Sequence, residues 1–255
     1  MADEQFQNNV SALFKRIQES KHLIALTGAG VSTLSGIRDF RGKNGLYNDI
    51  DQKIFDLDYF LDDPSLYYTQ AGSFIYNIDE KEASVVHTVL GDLEKRGFLK
   101  TLVTQNIDLL HQKGGSENVI EIHGSPIQHY CLYCSGVSMG FEEAAKIVHS
   151  GSMPQCPKCG RVLKPGIIFF GEQMPMNALH EAAEQCKKAD LLLILGTSLT
   201  VYPVASLPDY TLRHGGDIVI VNNQPTHLDR HALMRFSELG PVFEGLQEKL
   251  AQLGE

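Results

Sequence analysis

Four cysteines carry the plainest chemistry in this chain. Cys131, Cys134, Cys156 and Cys159 form two Cys-x-x-Cys pairs separated by 21 residues. Each pair presents two thiolates to one ion, and four thiolates complete the tetrahedron that structural Zn²⁺ favours. Pro157 and Gly160 suit the tight knuckles this needs. With four protein ligands no coordination position stays open, so the spacing predicts a structural zinc. The competing reading, four unrelated redox thiols, leaves the paired spacing unexplained.

Three further clusters could handle a nucleotide. Thr27-Gly28-Ala29-Gly30-Val31-Ser32 has the glycines that let a backbone approach phosphate, but Thr33 stands where Gly-x-Gly-x-x-Gly needs its third glycine. Gly36-Ile37-Arg38-Asp39-Phe40-Arg41-Gly42 packs two arginines, an aspartate and an aromatic between glycines. It is either a solvated loop or a lid that closes over a nucleotide and keeps water out. Thr104-Gln105-Asn106-Ile107-Asp108 offers amides and a carboxylate to sugar hydroxyls and a carboxamide. Capping of the next helix explains the same residues equally well. His123, between an apolar run and Gly124, has the side chain best suited to acid or base work near neutral pH.

The elements that must position these residues are short. Strands are expected at 22–27, 101–104, 119–122, 191–195 and 218–221, and helices over 5–20 and about 83–96, 175–188 and 203–214. Such alternation predicts an α/β fold, a Rossmann-like doubly wound parallel sheet. Gly28-Ala29-Gly30, Gln105-Asn106 and Gly196-Thr197-Ser198 then fall at the carboxyl ends of strands, where these sheets bind ligands. Residues 37–80 and 127–164 interrupt the alternation. The second reads as a small zinc-ribbon insert, and the first as a loop with small helices.

The 255 residues, 43% hydrophobic and 21% charged, are ordinary for a globular protein. A net charge of −9 speaks against a general nucleic-acid or anionic-membrane binder. The polar start MADEQFQNN lacks an export signal's basic and apolar parts. The expectation is a cytoplasmic protein.

In chain order these segments resemble the sirtuin family, over nearly the whole chain. The matching stretches are Gly28 to Ser32, Gly36 to Gly42, Thr104-Gln105-Asn106-Ile107-Asp108-Leu109-Leu110-His111, His123-Gly124 and the four cysteines. They continue with Lys164-Pro165-Gly166-Ile167-Ile168-Phe169-Phe170-Gly171-Glu172, Gly196-Thr197-Ser198-Leu199 and Val219-Ile220-Val221-Asn222. The resemblance implies a sirtuin catalytic domain over 1–255, of the single-domain bacterial and archaeal kind. Its large domain would comprise about 1–36, 81–126 and 165–255, and its small domain the inserts at about 37–80 and 127–164.

By that resemblance Gly28, Ala29, Gly30, Ser32, Ile37, Asp39, Phe40 and Arg41 hold NAD phosphates and cover the nicotinamide ribose. Gln105, Asn106, Ile107 and Asp108 line the ribose and nicotinamide pockets, Asp108 accepting from the carboxamide. Gly196, Thr197 and Ser198 sit near phosphate and adenosine ribose, and Asn222 and Asn223 near the adenosine. Ile168, Phe169, Phe170, Gly171 and Glu172 pair, strand-like, with the substrate peptide, and Tyr68 belongs to the acyl side of that site. His123 and Asn106 are the implied catalytic residues.

The implied reaction is NAD-dependent deacetylation of protein lysines, releasing nicotinamide and O-acetyl-ADP-ribose. The acyl oxygen attacks the ribose carbon that bears nicotinamide, and His123 then serves as general base toward the ribose hydroxyls. Members that prefer succinyl or malonyl groups carry a Tyr-x-x-Arg pair; here Tyr68-Thr69-Gln70-Ala71 stands in its place, without a cation. Acetyl or longer neutral acyl groups are therefore expected over acidic ones. Arg38 replaces the family's usual proline, which would leave the lid loop less rigid. Mono-ADP-ribosyl transfer shares the NAD pocket but does not call for His123, a non-catalytic NAD sensor would not need the full polar set, and a dehydrogenase lacks its glycine fingerprint. The expected partners are acyl-lysine proteins, with no nucleic acid and no membrane, met by a monomer.

Overall fold

Strand β1 (Leu23–Thr27) is buried along its whole length, as a strand with neighbours on both edges and helices on both faces must be. The computed structural model, which describes residues 2–254, sets it near the middle of a six-stranded sheet. The strands in chain order are β1, β2 (Leu99–Thr104) and β3 (Val119–Glu121), then β4 (Gly124–Tyr130), β5 (Ser138–Gly140) and β6 (Lys164–Ile167). Strands β7 (Leu191–Leu195), β8 (Asp217–Val221) and β9 (Met234–Phe236) complete the set. The large sheet runs β3-β2-β1-β7-β8-β9, every pair parallel. The chain winds outward from β1 to one edge, then returns to β7 and winds to the other. That reversal between β1 and β7 is where doubly wound sheets open a ligand crevice.

Helix α1 (Ala2–Glu19) opens the chain, and α2 (Leu57–Asp62) and α3 (Pro64–Ala71) come after β1. Then come α4 (Val85–Lys95), α5 (Leu110–Lys113), α6 (Phe141–His149), α7 (Met176–Lys188), α8 (Leu207–Arg213) and α9 (Leu239–Gln252). Strand side chains alternate between faces, and β7 divides accordingly. Leu191, Leu193 and Leu195 join the core under α1, α4 and α9. Leu192 and Ile194 join the core under α7 and α8. A run such as Leu191–Leu195 is thus apolar throughout because both of its faces are covered. The helix expected over 203–214 begins instead as a 3-10 turn at Val204–Ser206 before α8.

The smaller part is an antiparallel sheet, β5-β4-β6, with the four cysteines at one end. A third core joins the two interruptions: Phe55, Phe60, Tyr67 and Tyr76 pack with Ala144 and Val148 of α6 and with Phe169. The bounds expected at 126 and 165 fall inside β4 and β6. Between the large sheet and β4 the chain turns at Gly124, whose φ of +71° is a conformation that suits glycine. No helix among the described residues is long and apolar enough to cross a membrane.

Three histidines are fully enclosed: His87 on α4, His111 on α5 and His129 on β4. Burial lowers them from 6.5 to about 4, about 3 and about 4 respectively. The unfolded chain therefore binds more protons than the folded one between pH 6.5 and about 4. Their neutral burial is fully accommodated above 6.5 and turns against the fold as pH falls. Each group contributes a slope approaching 1.4 kcal/mol per pH unit, roughly 4 kcal/mol for the three. Denaturant midpoints measured between pH 7 and pH 5 should fall accordingly; a flat profile would contradict the assignment of three neutral imidazoles.

Candidate active site

A cavity of about 580 Å³ lies over the carboxyl ends of the large sheet. Each strand from the switch point outward sends its following turn to it: Gly28–Gly30 after β1, Gln105–Ile107 after β2, Gly196–Ser198 after β7 and Asn222–Gln224 after β8. The smaller part closes the other side with Asp39, Phe40, Arg41 and the segment Ile167–Glu172.

The first glycine turn is glycine for a packing reason visible only in three dimensions. A Cβ on Gly30 would lie 2.7 Å from the Cα of Gly196, and one on Gly28 would lie 2.8 Å from Cβ of Thr197. Gly196 itself has φ +59°. The β1 and β7 turns can interlock only as glycines. Gly28 N–H donates to Leu195 C=O at 3.0 Å, Gly30 N–H to Gly196 C=O at 2.9 Å and Val31 N–H to Gly28 C=O at 3.2 Å. The Ala29 N–H is left for a ligand. The chain continues as a 3-10 helix, Ala29–Ser35, stopped by Gly36 in the left-handed region.

Asn106 is fixed from two sides. Its backbone N–H donates to Thr104 Oγ1 at 3.0 Å, and its side-chain amide donates to Ser32 Oγ at 3.2 Å. The Ser32 hydroxyl donates onward to Asp108 Oδ2 at 2.5 Å, and Asp108 Oδ1 accepts the Leu110 N–H at 3.0 Å. Asp108 therefore does cap the following turn, and its other oxygen serves Ser32. Burial pushes its carboxyl up, against the pull of these hydrogen bonds. Ser32, Ile37 and Asp108 stand outside the cavity wall; Ser32 backs Asn106, and Asp108 backs Ser32. Gln105 donates to Thr197 Oγ1 at 3.0 Å, tying the β2 and β7 turns together. Leu109 (φ 60°) and Leu199 (φ 53°), next to Asp108 and Ser198, are left-handed without being glycine, a strain of the kind that gathers at functional sites.

His123 lines the cavity, and one contact sets its tautomer. Nδ1 lies 2.9 Å from the Gln105 carbonyl, which can only accept, so Nδ1 carries the proton. Nε2 is left with a free lone pair. Burial pushes this histidine below its usual 6.5, the Gln105 hydrogen bond pulls it back, and the Arg41 charge adds a smaller push down. The ring is a neutral base at pH 7.

The loop around Arg38 is tied down, contrary to the flexibility expected from the missing proline. The Arg38 guanidinium meets Asp49 at 2.6 Å and donates to the carbonyls of Asn44 at 2.8 Å and Gly45 at 3.0 Å. The exposed ion pair is worth only about 0–1 kcal/mol, but the backbone contacts bracket the loop. Asp39 Oδ1 accepts the Gly42 N–H at 2.8 Å, and Arg41 lies over the Tyr47 ring at 5.3 Å.

Ile168, Phe169, Phe170, Gly171 and Glu172 line the cavity, as do Asn222 and Asn223. Tyr68 does not. It is buried in the aromatic core with its hydroxyl donated to the Leu163 carbonyl, so no polar group of it reaches a substrate. The cavity also takes in Tyr47, Phe55, Met174, Tyr202, Glu238 and Leu239, which the sequence motifs did not include. Glu238 and Leu239 open α9 just after β9, a strand of three residues that leaves no period in the sequence to flag them.

The four cysteine sulfurs lie within 4.8 Å of one another, and Sγ of Cys131 and Cys159 are 3.7 Å apart. A ZnS₄ tetrahedron with bonds of about 2.3 Å has edges of roughly 3.8 Å. The donor set fits one zinc ion.

Comparison with known proteins places the chain among named relatives. The model of the Sir2 family matches residues 28–203. The "NAD-dependent protein deacetylase" of Thermotoga maritima is 41% identical over 221 residues, 87% of this chain and 89% of that protein. The "NAD-dependent protein deacylase 1" of Archaeoglobus fulgidus is 40% identical, over 85% of this chain and 87% of its own. A structure of Sir2 with p53 peptide and NAD+ superposes with a TM-score of 0.86 at 37% identity, covering 95% of this chain and 98% of that one. A second, holding deacetylated p53 peptide and 3′-O-acetyl-ADP-ribose, gives 0.89 at 38% identity, with the same coverage.

Proposed function

The chain belongs to the Sir2 family, and we propose on that footing that it is an NAD-dependent protein lysine deacetylase. The observation that carries the reading is the neutral His123, its Nε2 bare on the wall of a cavity that also holds both glycine turns and a strand edge.

NAD, when bound, supplies the ribose carbon to which the acyl oxygen adds as nicotinamide leaves. The residues of this chain do the rest. The Ala29 N–H and the turns at Gly30 and Gly196–Ser198 face the phosphates, and Asn222 and Asn223 the adenosine. Asp39, Phe40 and Arg41 cover the reacting ribose and exclude water, which would otherwise hydrolyse NAD. Asn106, gripped at backbone and side chain, orients the ribose, with Gln105 and Ile107 beside it. Ser32 and Asp108 act through Asn106. His123 Nε2 takes a proton from a ribose hydroxyl, and the Gln105 carbonyl steadies the imidazolium that results. Ile168 to Glu172 receive the extended peptide.

The acyl slot favours a neutral group. Among the described residues around the cavity Arg41 is the one lysine or arginine, and it sits over Tyr47. A succinyl carboxylate would be desolvated without a partner, so succinyl-lysine peptide should turn over about tenfold or more slowly than acetyl-lysine peptide. Equal rates would remove this account of the slot. A monomer acting in the cytoplasm, without nucleic acid or membrane, completes the reading; the acidic net charge of −9 supports its nucleic-acid part.

The deciding experiment is mass spectrometry of an acetyl-lysine peptide incubated with the protein, with and without NAD. NAD-dependent loss of acetyl, with nicotinamide and O-acetyl-ADP-ribose formed together, is the expected result. A peptide left intact would overturn the substrate.

A further inference from the structure

The edge offered to a peptide is held by an ion pair between Glu172, at its end, and Lys164, which lies outside the cavity wall and takes no part in the steps above. Lys164 opens β6, and its side chain is 5% exposed. Its three N–H donors meet three acceptors: Glu172 Oε2 at 2.7 Å, the Ile167 carbonyl at 2.7 Å and the Pro165 carbonyl at 3.1 Å. The Phe169 ring lies 4.1 Å from the nitrogen. Glu172 Oε2 also accepts the Phe169 N–H at 2.6 Å, and Glu172 N–H donates to the Phe169 carbonyl at 3.0 Å. The first and last residues of segment 164–172 are clamped together.

That clamp decides which backbone groups stay free. Phe169 has none left. Ile168 N–H donates to the His123 carbonyl at 2.8 Å, and Phe170 gives its N–H to Phe55 and its carbonyl to Leu57. Within the described residues, the Ile168 carbonyl and both the N–H and the carbonyl of Gly171 remain unpaired, all on residues of the cavity wall. Gly171 stands in the turn that the Glu172 N–H closes, with φ +89°, so the Ile168 acceptor and the Gly171 donor flank a bend, where both can pair with the backbone of an extended peptide. A buried ion pair is a poor source of net stability, since an apolar pair of the same volume often does as well. Its contribution here is geometric.

Resting on the deacetylase reading above, we propose that Lys164 and Glu172 are positioning residues for the peptide substrate, setting the backbone edge of residues 168–171 that receives it.

Lys164→Met should raise KM for an acetyl-lysine peptide by about tenfold or more while KM for NAD and bound zinc stay within about twofold. Lys164→Arg, which keeps charge and donors, should recover part of the loss. In Lys164→Met/Glu172→Leu no buried charge is left alone, so the melting temperature should return but the peptide KM should not. Hydrogen exchange at the Phe169 amide should accelerate in Lys164→Met. An unchanged peptide KM in the double variant overturns the proposal, and so does a KM for NAD that rises in step with it. The exchange experiment needs no turnover. A wild-type protein inactive on acyl peptides would sink the deacetylase reading, whereas unchanged Phe169 exchange would sink this one.

Discussion

His123→Ala should lower deacetylation by about 10²- to 10⁴-fold, the usual span for losing a positioned general base, and leave the fold intact. The imidazole sits on the cavity wall rather than in any of the cores, and the Gln105 carbonyl it releases faces an open space that water can enter. Melting temperature and bound zinc should therefore match the wild type. The pH dependence gives an independent check. His123 must be neutral to act, and its pKa is pushed below 6.5, so activity is full above that value and falls as pH drops through the depressed pKa. Normal turnover in the alanine variant, or an acid limb above 6.5, would take the histidine out of the mechanism.

Removing the metal should act on stability first. The core beside the cysteines contains four buried residues, two of them Cys131 and Cys156 with Val137 and Leu163, too little apolar surface to hold that end of the three short strands, although Ile167 of β6 also reaches the third core. Zinc binding to such modules amounts to about 10–16 kcal/mol, against about 5–15 kcal/mol for a whole domain. The large sheet keeps its own two cores, so Cys156→Ser should melt the smaller sheet and lower the transition by roughly 10 °C or more. β6 runs directly into the peptide edge, so activity should vanish with it. Metal analysis paired with a thermal scan tests this; an unmoved transition after confirmed zinc loss would refute it.

Much of the large sheet was legible because its strands are continuous apolar runs that end in glycine or amide residues. β9 was not, since Met234–Phe236 is too short to show a period. α6 and α9 carried a readable signal, with Phe141, Ala144, Ala145 and Val148, and Val242, Phe243, Leu246 and Leu250, at helical spacing. Small residues and the neighbouring cysteines masked the first. The site's motifs were visible as residue types, but their division of labour was not. Ser32 and Asn106 lie 74 positions apart, and only packing reveals that one holds the other. Tyr68 failed for the related reason that spacing in an aromatic helix cannot say which ring faces a ligand. Arg38 looked like a lost proline, yet its side chain brackets the loop from outside.

The backbone bonds of Phe170 to Phe55 and Leu57 have a thermodynamic consequence. The Phe55 ring packs edge-on against Phe40 at 5.9 Å, and Phe40 stands between Asp39 and Arg41 on the loop proposed above to cover the nucleotide. Peptide edge and nucleotide loop thus share one short mechanical link, and whatever ordering one ligand imposes on it is already done for the other. Linkage makes this coupling reciprocal: the factor by which peptide tightens NAD equals the factor by which NAD tightens peptide. Calorimetric titrations closing that cycle should give a shared factor above one, and a factor of one would mean that the link transmits nothing.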